Sequence, residues 1–210
     1  MRFAELDAVT VDGYGTLLRL TDPVPVLRRA LADSGCERSP EEVEQAFRAE
    51  VAHYRPNAHL AHDADSLAAF RAECVGVFLG ELGNPVAAAE FVGAFIDSLV
   101  FEPVPGAREA LEQLRARGLK LAVVANWDCA LPEHLGTLGL GRLVDTVVTS
   151  ARAGVPKPDP AIFELALREL DVRSERALHV GDEPCDEEGA RAAGLRFAPA
   201  PLSTAFEGWT

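Results

Sequence analysis

An aspartate that ends an apolar run, a lysine set between prolines and two aspartates four residues apart are the side chains best placed to do chemistry. Asp12 follows Ala8-Val9-Thr10-Val11 and precedes Gly13-Tyr14-Gly15-Thr16-Leu17. A carboxylate so placed can attack an electrophile or bind a hard cation; it can also simply begin a turn. Lys157, one of two lysines in the chain, sits in Gly154-Val155-Pro156-Lys157-Pro158-Asp159-Pro160. A rigid ammonium suits the charge of a carboxylate and an anionic intermediate, the alternative being a solvated loop lysine. Asp182 and Asp186 follow the apolar run Ala177-Leu178-His179-Val180. If both face Asp12, the carboxylates repel by several kcal/mol per close pair at an effective dielectric of about 20. A divalent cation with oxygen ligands removes that conflict, and Mg²⁺ with bound waters is the natural occupant.

The elements that must position these groups alternate between strands and helices. Residues 8–11 are too short and too apolar for anything but a buried strand. Further strands are expected over 119–125, 145–149, 177–180 and 195–198, with helices over 107–117, 130–140, 160–170 and 187–193 between them. That alternation implies right-handed βαβ crossovers and a doubly wound parallel α/β sheet covered on both faces. Ligands in such sheets bind at the carboxyl ends of the strands, where Asp12 and Asp182 fall.

Residues 18–100 differ in character. Val24, Leu27 and Leu31 recur at helical spacing up to Gly35, and Ser39-Pro40-Glu41-Glu42 is a capping-box start for a helix running to about Pro56. Asn57–Ala64 reads as a polar loop, a third helix spans about 65–82, and a fourth starts at Asn84-Pro85 and runs to about Val100. The division expected is an α/β core of residues 1–17 and 101–210 with an all-α insertion, 18–100.

Composition narrows the function. The 210 residues carry 33 acidic against 20 Lys and Arg side chains, a net charge of −13. That argues against nucleic-acid or anionic-membrane partners, which need basic footprints. An anionic small-molecule substrate would need a local cation. Cys36, Cys74, Cys129 and Cys185 are scattered without zinc spacing and read as reduced thiols. With no leader-like segment and no run of about 18 apolar residues, the expected location is cytoplasmic. Nothing in the sequence specifies an oligomeric state.

Four segments together resemble the haloacid dehalogenase (HAD) superfamily: Asp12-Gly13-Tyr14-Gly15-Thr16-Leu17, Val123-Val124-Ala125-Asn126, the Lys157 loop, and Gly181-Asp182-Glu183-Pro184-Cys185-Asp186 with its small-residue helix. The resemblance implies a Rossmann-like core with a helical cap in the first insertion point and an aspartyl intermediate on Asp12. It further implies metal ligation by Asp12, Asp182 and the Tyr14 carbonyl, with Asp186 direct or through water. Lys157, the amides near Gly13 and Asn126 would stabilise developing charge, though Asn126 can equally be a turn residue.

The sequence departs from the family's phosphatases at two positions. Tyr14 stands where they carry an acid/base Asp, and a phenol, ordinarily titrating near pH ~10, is a poor base at neutral pH. Ala125 stands where a Ser or Thr binds the phosphoryl group. Asp-x-Tyr-Gly-Thr-Leu is also the form of the L-2-haloacid dehalogenases, and Phe47-Arg48 with Tyr54 resembles their halide-binding helix, although Arg48 also reads as an ordinary exposed arginine. Against dehalogenation, those enzymes have Ser-Ser-Asn-x-x-Asp in place of Gly-Asp-x-x-x-Asp and need no metal. The leading expectation is a Mg²⁺-dependent phosphohydrolase favouring good leaving groups, ahead of a dehalogenase or a weakly catalytic regulatory protein. His53, Tyr54, Arg55, Asn57, His59 and His62 are the candidate specificity residues, the three histidines fitting no common metal spacing. His179 reads as core, Glu183, Glu187 and Glu188 as surface charge, and hinges are expected near Leu18–Leu20 and Phe101–Pro105.

Overall fold

A computed structural model describes residues 3–83 and 86–206. Its seven strands are β1 (Ala8–Val11), β2 (Leu18–Leu20), β3 (Phe101–Pro103), β4 (Lys120–Ala125), β5 (Thr146–Thr149), β6 (Ala177–Gly181) and β7 (Arg196–Pro199). Five form a parallel sheet in the order β5-β4-β1-β6-β7. Central β1 is buried on both faces, which is why its four residues carry no charged side chain.

The helices are α1 (Val24–Asp33), α2 (Pro40–Asn57), α3 (Ala64–Glu81), α4 (Ala88–Ser98), α5 (Ala107–Ala116), α6 (Leu131–Thr137), α7 (Ser150–Ala153), α8 (Pro160–Leu170) and α9 (Pro184–Ala192). Leu111, Leu114, Leu131 and Leu135 of α5 and α6 pack with Val9, Val11, Leu121 and Val123 in one cluster. Ile162, Phe163, Ala166 and Ala190 of α8 and α9 pack with Ala8, Ala122 and Val124 in another. Alternate residues of β1 and β4 thus serve opposite faces of the sheet, as the two-residue strand period requires.

Helices α1 to α4 build a third cluster of their own around Leu27, Leu31, Val43, Phe78, Phe91 and Phe95. The capping box expected at Ser39 is present: Ser39 N–H donates to Glu42 Oε2 at 2.7 Å, and Glu42 N–H to Ser39 Oγ at 3.2 Å. The start expected for the fourth helix, Asn84-Pro85, lies outside the described residues.

Two local expectations are corrected. The stretches flanking the helical insertion are an antiparallel ribbon, β2 pairing with β3 so that Leu18, Arg19 and Leu20 face Pro103, Glu102 and Phe101. The Arg19–Glu102 rung adds an ion pair at 2.7 Å. Three-residue strands formed only by long-range pairing leave no periodicity to read. Helix α9 also begins earlier than Glu187. Pro184 fits its first turn, and Asp186 Oδ2 accepts from Glu183 N–H at 3.0 Å, so Asp186 belongs to the first turn rather than to a preceding loop.

Candidate active site

Asp12 continues the β1 ladder by one bond, its N–H donating to Val180 O at 2.9 Å, and its side chain emerges at the carboxyl edge of the sheet. The turn after it is closed by Leu17 and Leu18 N–H on Gly13 O and by Gly15 N–H on Leu18 O, an arrangement that leaves the Tyr14 carbonyl outside the turn's own hydrogen bonds. Gly15 has φ +87°, and a β-carbon there would overlap the Asp182 carboxylate. Gly181 does the same for Asp186. These two glycines are what allow the carboxylates of Asp182, after β6, and Asp186, in α9, to close on Asp12. Oxygens of Asp12, Asp182 and Asp186 lie within 4.8 Å of one another.

Lys157 is the counter-charge. It is 5% exposed, and its Nζ donates to Asp12 Oδ1 and, at 2.5 Å, to Asp186 Oδ1. Asn126 holds the lysine's backbone, its Oδ1 accepting from Lys157 N–H at 2.7 Å and its Nδ2 donating to Lys157 O at 3.1 Å. Expected as a substrate donor, Asn126 lines the cavity but has its amide engaged in positioning the lysine. Asp182 is anchored by Thr16 Oγ1 at 3.2 Å and is the most open of the three carboxylates.

His179 is fully buried yet touches this site. Its Nε2 lies 3.2 Å from Asp186 Oδ1, its Nδ1 lies 2.8 Å from Thr10 Oγ1, and Phe163 meets its ring edge-on at 4.9 Å. The core reading holds for its burial but misses its role in fixing Asp186.

The electrostatics are uneven. Burial drives the Asp12 carboxyl up to about 7, with Asp186 and Asp182 adding to the rise and Lys157 opposing it. Burial acts the same way on Asp186, but the His179 hydrogen bond and Lys157 outweigh it and hold that carboxyl well below the usual range. For Lys157 burial favours the neutral amine; its two carboxylate partners more than reverse that, so it remains an ammonium. Burial, then Asp186 and Glu183, raise Asp182, against the Thr16 hydrogen bond. Asp12 and Asp186 therefore share one ammonium, while Asp182 is anchored by the neutral Thr16 hydroxyl.

Above this edge the helical insertion roofs a cavity of about 240 Å³. Asp12, Asn126 and Lys157 line its floor, Leu20, Phe101 and Trp127 its side, and Phe47, Glu50, Val51, Tyr54 and Arg55 of α2 its roof. Several contacts bind the insertion to the sheet edge. Tyr54 Oη donates to Asp128 Oδ2 at 3.0 Å, Arg55 pairs with Glu183 at 2.7 Å, and Cys129 N–H donates to Ala61 O at 3.0 Å. A larger open groove of about 560 Å³ beside Glu164, Arg168 and Arg173 contains none of these groups.

Of the residues expected from the sequence, Asp12, Gly13, Tyr14, Asn126, Lys157, Asp182 and Asp186 come together at this edge. Tyr14, 44% exposed, borders the cavity. Arg48 does not join them: its side chain is 75% exposed, held 2.5 Å from Glu44 one turn back on the solvent face of α2. The arginine that reaches the cavity is Arg55. Of the six candidate specificity residues only Tyr54 and Arg55 line the cavity. Glu183 is a rim residue paired with Arg55 rather than free surface charge.

Glu50 is absent from the expected set. It is 6% exposed, and burial pushes its carboxyl up to about 7, only the Cys74 thiol drawing it the other way. A signal for it exists: Val43, Phe47, Glu50 and Tyr54 recur at helical spacing on the inward stripe of α2, where a carboxylate interrupts an otherwise apolar and aromatic row.

Comparison with known proteins places this architecture. The description of a haloacid dehalogenase-like hydrolase family matches residues 6–194. The chain belongs to that family. Human haloacid dehalogenase-like hydrolase domain-containing protein 3 is 36% identical over 204 residues, 91% of this chain and 80% of the relative. A phosphoserine phosphatase of Thermus thermophilus is 39% identical over 117 residues, 54% of this chain and 47% of its own. Among solved structures, a 2-haloacid dehalogenase from Pseudomonas syringae matches with TM-score 0.64 at 25% identity, covering 95% of this chain and 96% of the other. HAD-like hydrolases of both chemistries thus share its fold, and the local geometry has to separate them.

Proposed function

We propose that this HAD-like hydrolase is a Mg²⁺-dependent phosphohydrolase acting on a small phosphorylated metabolite through an aspartyl phosphate on Asp12. The observation that carries the reading is the convergence of Asp12, Asp182 and Asp186 at one sheet edge, where a single ammonium pairs with only two of them. The residues fit a hard divalent cation: the donors are oxygens, Asp182 is open, and the excess negative charge is otherwise uncompensated. Asp12, Asp182 and the Tyr14 carbonyl would hold it, with Asp186 direct or through water. When bound, such a cation supplies charge neutralisation at the carboxylates and at the phosphoryl oxygens.

In the first step an Asp12 oxygen forms a bond to phosphorus as the P–O bond to the leaving group breaks, and that group departs with the bonding pair as an alkoxide, aryloxide or carboxylate that takes its proton from water. Lys157 stabilises charge on the transferring group, and water then cleaves the acyl phosphate, returning the free carboxylate and inorganic phosphate. Tyr14 offers a phenol where an acid would protonate the leaving oxygen, so acyl and aryl phosphates should outrun alkyl esters. We assign the chemistry to residues 1–17 and 101–210 and the covering of the cavity to 18–100. A cavity of about 240 Å³ suits a small anionic molecule rather than a nucleic acid or a membrane surface. No helix among the described residues is long and apolar enough to cross a membrane. The four free thiols suit a reducing cytoplasm.

Phosphate release from aryl, acyl and alkyl phosphates, with Mg²⁺ and with chelator, tests the reading, with Asp12→Asn as control. Release that depends on Mg²⁺ and vanishes in the control supports it. Tyr14 gives a second reading, 2-haloacid dehalogenation, in which a halide leaves unprotonated. Chloride release from 2-chloropropionate with no phosphate release from any ester would replace the first reading with this one.

A further inference from the structure

The two ends of the cavity differ in a way that specifies a ligand. At the floor, the buried carboxylates of Asp12 and Asp186 have the Lys157 ammonium as their counter-charge. At the roof, Glu50 is 6% exposed and borders the cavity, and among the described residues no cation draws its carboxyl down. The neighbours that interact with it are the Cys74 thiol and the Tyr54 phenol, neither of them cationic. Arg55, the cation that α2 contributes to the cavity, is already held by Glu183. A buried carboxyl without a counter-charge costs stability, and its position makes sense if a ligand supplies the missing charge.

We propose that Glu50 is a specificity-determining residue whose carboxyl receives the distal ammonium of a small phosphate monoester held by its phosphoryl end at Asp12 and Lys157. This rests on the phosphohydrolase reading and names its substrate class: a short aminoalkyl phosphate. Leu20, Phe47, Phe101 and Trp127 provide apolar walls for the carbon chain between the two ends. A second anionic end would meet Glu50 and find Arg55 occupied, and is rejected by repulsion. An ammonium would enter a desolvated site where its pairing with the carboxylate is strong.

The test compares ethanolamine phosphate, the uncharged isostere propyl phosphate and the doubly anionic phosphoglycolate by kcat/KM. The expected result is at least a tenfold preference for the amine over propyl phosphate, expressed mainly in KM, with phosphoglycolate last. Glu50→Gln should bring the amine down to the level of propyl phosphate. Calorimetric binding of the same esters to Asp12→Asn repeats the comparison without turnover and does not depend on the glutamine variant folding. Equal kcat/KM or equal affinity for the amine and its isostere, a preference for phosphoglycolate, or a preference that survives Glu50→Gln overturns the proposal. Acetyl phosphate, which has no distal amine, separates the two levels: its hydrolysis with a flat amine ratio sinks the Glu50 assignment alone, whereas its failure to react sinks the phosphohydrolase reading.

Discussion

The floor and the roof of the cavity place carboxylates in opposite circumstances. Asp12, Asp182 and Asp186 converge from β1, the β6 edge and α9, and they are tied down by Lys157, Thr16 and His179. Glu50 comes from one helix of the insertion and is buried against the Cys74 thiol and the Tyr54 phenol, with no ion pair among the described residues. The floor is fixed by contacts between elements distant in sequence and suits a constant chemical step. The roof is one helix face whose residues can change without disturbing the sheet, and suits the choice of substrate.

Breaking the floor should cost the most. Asp12→Asn removes the nucleophile and should lower kcat for acetyl phosphate by more than about 10³-fold. Lys157→Met should cost about 10² to 10³-fold in kcat, comparable to losing one preorganised donor at a developing charge. It should also destabilise the fold by about 3–5 kcal/mol in denaturant titration, because buried carboxylates lose their counter-charge. A variant of undiminished stability would show that the floor is less tightly coupled than its geometry implies.

Adding an acid at the mouth sharpens the contrast. Tyr14→Asp should raise alkyl-phosphate turnover by about 10-fold or more while changing acyl phosphate little, since only the alkoxide needs a proton. No gain would show that leaving-group protonation is not limiting.

The roof should answer to pH. The Glu50 carboxyl titrates near 7 when folded and near 4.5 in its ordinary state. The folded state therefore holds its proton more tightly, and stability falls as pH rises from about 4.5 to 7, then levels off. Glu50→Gln should remove that loss. It should raise unfolding free energy by up to about 3 kcal/mol at pH 8 and change it little at pH 4.5, a difference that disappears if the carboxyl is solvated. Smallest of all, Arg48→Ala should alter kcat/KM less than about twofold and stability by less than about 0.5 kcal/mol, since its pairing with Glu44 is exposed. A larger loss would restore Arg48 to the site.

These regions also differ in how well the sequence describes them. Strand ends are marked by abrupt changes from apolar runs to Asp and Gly, so the order of residues alone is enough to assign Asp12 and Asp182 to one sheet edge. Lys157 is identifiable because prolines on either side fix its loop. The misassignments share a cause: they depend on rotation about α2 or on long-range pairing. Arg48 and Glu50 are two residues apart, yet one points to solvent and the other into the cavity. A motif match cannot report that, although the inward stripe Val43, Phe47, Glu50 and Tyr54 can. Asn126 resembles a free donor because its partner, the Lys157 backbone, lies 31 residues ahead. His179 reads as apolar packing since its contact with Asp186 forms only once α9 begins at Pro184.

The ribbon of β2 and β3 has a topological consequence. Because Leu20 and Phe101 face each other on one rung, the helical insertion leaves and rejoins the sheet domain at adjacent points. Seen from the sheet, everything from residue 21 to residue 100 is the loop of a hairpin, and the entropy of closing it grows only slowly with its length. A two-residue turn joining Leu20 to Phe101 would satisfy the same ladder. The scaffold is therefore modular at a single rung: helical roofs of different size and lining can be exchanged there while the register of the strands beneath is kept.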